Sequence, residues 1–171
     1  MTSAALLADA FGRVQETVRD AADGLTEEQL AVRLDADANS VAWLLWHLTR
    51  VQDDHIAAAF GTTQVWVTGE WAPRFGLRPG TLATGYGHRS RDVADLRAPS
   101  AELLTGYYDV VHEQTIRHVS GVTDADLERI VDERWDPPVT LGVRLVSVIS
   151  DCLQHAGQAA FIRGILLRKQ S

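Results

Sequence analysis

The sequence predicts an all-α fold, a four-helix bundle with one long crossover between its second and third helices. Three observations carry this reading. Four segments of about twenty residues place apolar side chains at helical spacing. Start and stop residues bound them. Helices of that length are about 30 Å long and pack antiparallel into a bundle, and bundle cores are a recurrent place for metal sites.

The first helix is read from Ser3 to Ala22, with Leu6, Leu7, Ala10, Phe11, Val14 and Val18 on one stripe and Gly24 as a stop. Thr26 to Leu30 reads as a capped helical turn, because Thr26 can cap and Gln29 stands three residues later. The second long helix opens at Ser40, a good N-cap, and runs to Phe60, where Gly61 ends it. The third runs from Ser100 to Val119, ahead of Gly121, and the fourth starts after Thr140 and runs to Arg168.

Two connections are unusual. Residues 61–98 hold Trp66, Trp71, Phe75 and Tyr86 among six glycines and two prolines. Such a long connection reads as a binding loop or lid, as a cover that lays aromatic rings over one end of the bundle, or as both. Residues 121–140 contain Trp135-Asp136-Pro137-Pro138, which predicts an extended path into the last helix.

With 171 residues the chain reads as one domain, 1–171, long enough to bury a core. No apolar run approaches the ~20 residues that cross a bilayer. The N-terminus, Met1-Thr2-Ser3-Ala4, lacks a secretory pattern, and the single cysteine, Cys152, excludes an internal disulfide. Both point to the cytoplasm. The net charge is −7, and the 15 arginines are scattered among acids, which argues against nucleic acid as a partner. Lysine occurs once, at Lys169. That bias, with abundant Ala, Val and Gly, suggests a GC-rich genome of actinobacterial type.

Chemistry concentrates on two helix faces. On the last helix, Asp151 and His155 are i,i+4 neighbours on a face shared with Arg144, Val148, Gln158, Ala159 and Ile162. A buried carboxylate beside a buried imidazole needs compensation, and a divalent cation supplies it. On the second helix His47 shares its face with Ser40, Trp43, Leu44, Val51, Asp54 and Ala58, so it also points inward. Three ligands on two facing helices, with positions left open, describe a catalytic metal site. The alternative is a hydrogen-bonded core histidine and an intrahelical Asp151–His155 ion pair. His55 swings about 80° off the His47 face, which suits a solvated or supporting role. His112 and His118 read as surface residues, and Cys152 as a packing residue. His88 lies in a Gly/Arg-rich loop and says little alone.

The segment Asn39-Ser40-Val41-Ala42-Trp43-Leu44-Leu45-Trp46-His47-Leu48 resembles the second helix of the DinB/YfiT-like metalloenzyme superfamily. Asp151-Cys152-Leu153-Gln154-His155-Ala156-Gly157-Gln158 resembles its last helix. The helix order and the long aromatic crossover fit as well. The resemblance implies a divalent metal, zinc or nickel, on His47, Asp151 and His155. Many members have histidine where this chain has Asp151, but the mycothiol-dependent maleylpyruvate isomerase branch has a carboxylate there.

The resemblance further implies a thiol-dependent enzyme. Members use mycothiol, bacillithiol or glutathione, and the actinobacterial type of composition points to mycothiol, so the expected activity is conjugation of that small thiol to an electrophilic substrate through a metal-bound thiolate, a detoxification reaction. The isomerase branch usually carries a further C-terminal domain, and an end at Ser171 favours transfer over isomerisation. Arg144 is a candidate for binding an anionic group, or else a helix-start arginine reaching solvent. Trp43 and Trp46 are candidates for the pocket wall. The alternatives are a metal-dependent hydrolase of the same fold and a non-catalytic metal-binding stress-response protein. No membrane partner is expected, and a homodimer is left open.

Overall fold

The computed structural model describes residues 1–96 and 100–168. Capping chemistry sets the ends of its helices. Helix α1 spans Ser3–Ala22, and the Thr2 hydroxyl accepts from the Ala5 N–H. Helix α2, Glu27–Leu30, opens on a capping box in which Thr26 and Gln29 satisfy each other's backbone N–H. Helix α3 spans Val41–Phe60, between the Ser40 cap and Gly61, whose φ of 66° lets the chain leave in a left-handed turn. Helix α7, Ala101–Val119, is capped by Ser100, and helix α8 runs from Leu141 to Arg168. The four long helices thus match the sequence expectation, and the described chain is an all-α bundle.

The long helices form a ring in the order α1, α8, α3, α7, each packed mainly on two neighbours. Phe11, Val14, Val18, Leu44, Leu48, Tyr107, Tyr108, Leu145, Val148 and Ala159 fill the space between them. Helix α3 departs from a one-sided amphipathic helix. Fifteen of its 20 residues are buried, so something must cover the side that the bundle leaves open.

The crossover supplies that cover. It carries three short helices, α4 (Val65–Thr68), α5 (Trp71–Arg74) and α6 (Ser90–Asp95), which its glycine-rich composition did not announce; its residues 97–98 lie outside the described ones. Trp66, Trp71 and Phe75 pack on Tyr107, while Tyr86 stands 94% exposed, so three of the four aromatics are cover and one is not.

A buried ion pair on α3 pins this segment. Asp53 accepts from the backbone N–H groups of Val65 at 2.8 Å and Trp66 at 2.7 Å, and from the Tyr107 hydroxyl at 2.8 Å. Arg50 is 0% exposed and lies 3.3 Å from Asp53. It donates to the carbonyls of Leu82 and Ala83, each at 3.2 Å, and to Gln64 at 2.9 Å, with its guanidinium over the Trp66 ring. Removing one partner of such a pair costs about 3–5 kcal/mol, because the other is left buried and uncompensated.

The second unusual connection holds a 3₁₀ turn, Asp126–Glu128, and a hairpin of β1 (Ile130–Asp132) and β2 (Val139–Thr140). The strands are antiparallel, with Ile130 opposite Thr140 and Asp132 opposite Val139. Trp135-Asp136-Pro137-Pro138, expected to be extended, instead make the bend between the strands, and only Val139–Thr140 leads extended into the last helix. Arg129 donates twice to the Ala59 carbonyl at 3.1 Å, tying the hairpin to the C-terminal end of α3.

Candidate metal centre

His47 on α3 and Asp151 and His155 on α8 converge: one ligand atom from each lies within 4.8 Å of the others. The two helices run antiparallel at this point. His47 meets His155, with ring centroids 4.7 Å apart and planes at 78°, while His55, two turns on, meets Arg144 from the start of α8.

Each imidazole is oriented by a backbone carbonyl. Nδ1 of His47 bonds to the carbonyl of Thr84, and Nδ1 of His155 bonds to the carbonyl of Asp151 at 2.8 Å. A carbonyl can only accept, so both Nδ1 atoms carry the proton. Nε2 of each neutral ring then keeps its lone pair free, the arrangement metal-ligating histidines adopt. Burial is the chief reason the His47 pKa is lowered, which favours the neutral, ligating form. The Asp151 carboxylate beside it raises His155, against burial. For Asp151, burial pushes the carboxyl up, but His155 and His47 pull it down and prevail. Its Oδ2 is buried without a hydrogen-bond partner, 3.3 Å from His155 Nδ1. A carboxylate with an orphaned oxygen and two neutral imidazoles on converging side chains are a donor set that suits a divalent cation such as zinc.

The crossover closes over this site at Thr84 and Gly85. Gly85 sits at φ +96°, and a Cβ there would lie 2.6 Å from His47 Nδ1 and 3.0 Å from the rings of both Trp43 and Trp46. Only glycine allows the loop to approach so closely in that conformation. Trp43 stacks on His47 at 4.5 Å and donates its indole N–H to His88 Nδ1 at 3.1 Å. His88 in turn stacks on Trp46 at 5.7 Å.

The candidate pocket walls therefore lie within the packing. Trp43 is 6% and Trp46 1% exposed, so they hold His47 and the loop in place and offer little surface to a ligand. Arg144 is half-buried and already paired rather than free for an anion. It donates to Asp132 at 2.8 Å and points at His55 Nδ1 at 3.3 Å, with its side chain 15% exposed. Cys152 is fully buried against α3, its thiol pushed up by burial and its Sγ 3.6 Å from the Leu48 carbonyl, as the packing reading expects. His112 and His118 are not simple surface residues: they are half-buried and stack on Tyr108 and Phe60. Sequence reasoning missed Thr84, Gly85 and His88 as the support of His47. The glycine cluster was a signal for close approach, but not for what would be approached.

Among the described residues, no helix is long and apolar enough to cross a membrane. No curated protein matches the chain. A solved structure of a conserved protein from Enterococcus faecalis superposes with a TM-score of 0.87 at 27% identity, covering 95% of this chain and 96% of that one. The family model described as mycothiol-S-transferase matches residues 6–167, from the first turns of α1 to the end of α8, and so takes in all three converging side chains. This chain belongs to the mycothiol-S-transferase family.

Proposed function

We propose that this chain is a divalent-metal-dependent S-transferase that conjugates mycothiol to an electrophilic substrate, with His47, Asp151 and His155 as the ligands of the metal, zinc. The observation that supports the reading is the convergence of those three side chains, with Nδ1 of each imidazole bonded to a carbonyl so that Nε2 keeps its lone pair. When bound, a zinc ion with open positions lowers the pKa of a coordinated thiol and supplies it as thiolate.

The residues of the chain do the rest. The Thr84 carbonyl keeps the His47 ring in one tautomer and one orientation, and Trp43 stacked on it limits its tilt. Asp151 contributes a charge that offsets part of a dication, and its side chain, 36% exposed, lies on the side where a small molecule can approach. The buried rings of Trp43 and Trp46 keep water from the inner face of the site. On this reading the partners are small molecules, the reaction is a cytoplasmic detoxification step, and a single domain performs it.

The test is turnover. Purified protein with mycothiol and a model electrophile should form conjugate faster than the thiol alone; a chelator should abolish the increase, and zinc should restore it. Ester or amide cleavage that is indifferent to thiol would replace this reading with a hydrolase. A retained metal with no turnover of either kind would leave a binding protein.

A further inference from the structure

Two turns along the same pair of helices from the metal-site candidates lies a polar cleft of about 320 Å³. Its size is within the range of small-molecule sites, about 300–1,000 Å³. We propose that this cleft, lined by Asp54, His55, Asp132, Glu133, Arg134 and Arg144, receives the neutral, polyhydroxylated half of the thiol, the sugar and cyclitol that carry its cysteinyl group. The inference deepens the transferase reading and rests on it for the identity of the ligand.

Position is the first argument. His55 is eight residues from His47 on α3, and Arg144 is seven from Asp151 on α8. At the rise of an α-helix these two lining residues lie about 10–12 Å along the helix axes from the candidate ligands. A thiol bound there by its sulfur extends across one amide before its sugar begins, which brings the sugar and cyclitol to the cleft.

Charge is the second. The hairpin puts Asp132 between two arginines: Arg134 donates to it at 2.9 Å and Arg144 at 2.8 Å. Both guanidiniums are thus already paired. With Asp54 and Glu133 added, three carboxylates face two guanidiniums, and burial lowers the pKa of His55, favouring its neutral form. An anionic ligand gains nothing here. A thiol whose far end carries carboxylates, as glutathione does, would meet net negative charge.

Hydrogen-bonding capacity is the third. Arg144 points at His55 Nδ1, and since a guanidinium only donates, the His55 N–H is on Nε2. One oxygen of Asp54 is held by Gln64 at 2.7 Å, and the exposed Glu133 adds further acceptors. A cleft that offers both donors and acceptors, part of them fixed by the Asp132–arginine pairs, suits hydroxyl groups, which both donate and accept.

The experiment uses the zinc-loaded full chain and N-acetylglucosaminyl-inositol, the polyol half without its thiol. Titration followed by backbone amide chemical shifts should perturb His55, Ala58 and Glu133. Ala58→Trp, an exposed position on the cleft wall, should weaken that binding about tenfold or more. In the same variant, the ratio of kcat/KM for mycothiol to that for N-acetylcysteine amide, which lacks the sugar, should fall about tenfold. No perturbation at the cleft in the parent, or equal polyol binding and an unchanged ratio in Ala58→Trp, would overturn the proposal. Polyol binding at the cleft in a parent that conjugates no thiol would support this cleft while removing the transferase reading, so the two can fail separately.

Discussion

His47 depends on a backbone carbonyl for its orientation, so the path of the chain at residues 84–85 governs the site. The Gly85→Ala substitution tests this. Its Cβ would meet His47 Nδ1 at 2.6 Å, and φ +96° is strained for any side chain. Overpacking of this kind costs about 1–3 kcal/mol, so the melting temperature should drop and metal affinity should drop with it. A variant that melts and binds zinc like the parent would show that the loop can yield without disturbing His47. Asp151 is the other sensitive residue. Asp151→Asn keeps the shape but removes the charge, and its zinc affinity in a competition titration should fall by about 10–100-fold or more, the scale on which even supporting groups matter. Asp151→His should retain zinc, since imidazole is an equally good ligand type. Equal affinity in Asp151→Asn would reduce Asp151 to an ion-pair partner of His155.

The hairpin and the crossover act as elements, each attached to α3 or α8 by charged groups. Hydrogen bonds from Arg134, and the charges of Arg134 and Arg144, hold the Asp132 carboxyl well below the usual carboxylate range. Because the folded pKa is depressed, the stabilisation is present above the unfolded value, about pH 4. It is lost as pH falls below that toward the folded value. Thermal melts should therefore show Asp132→Asn less stable than the parent at pH 7, with the gap closing as the pH falls below about 4. A gap that stays constant with pH would mean that the Asp132–arginine pairs contribute nothing through charge. The ends of α3 and the start of α2 were legible, because Ser40, Gly61, Thr26 and Gln29 act through local hydrogen bonds and backbone conformation. The hairpin was not, since strands of three and two residues are too short for alternation to register. Arg50 and Asp53 were also invisible: an i,i+3 pair on a helix reads as a surface ion pair until the crossover buries it. The three converging side chains could be read from helix faces and resemblance. Their support by Thr84 could not, because a carbonyl oxygen has no sequence signature.

At the scale of the molecule, the core and the candidate metal site are separable. Leu44, Leu48, Val148 and Ala159 are buried by the bundle itself, whereas Asp151 and His155 lie at its partly exposed margin. The bundle should therefore stay helical without metal, and substitutions at the site can be judged on a folded protein. The most direct measurement is the metal content, by mass spectrometry, of protein purified without chelator or nickel resin. The parent should carry about one equivalent of zinc or a similar divalent ion, because one three-ligand set holds one ion. The doubly substituted His47→Ala, His155→Ala protein should carry none while its far-ultraviolet circular dichroism remains helical. A folded double variant that keeps its full complement of metal would contradict the account.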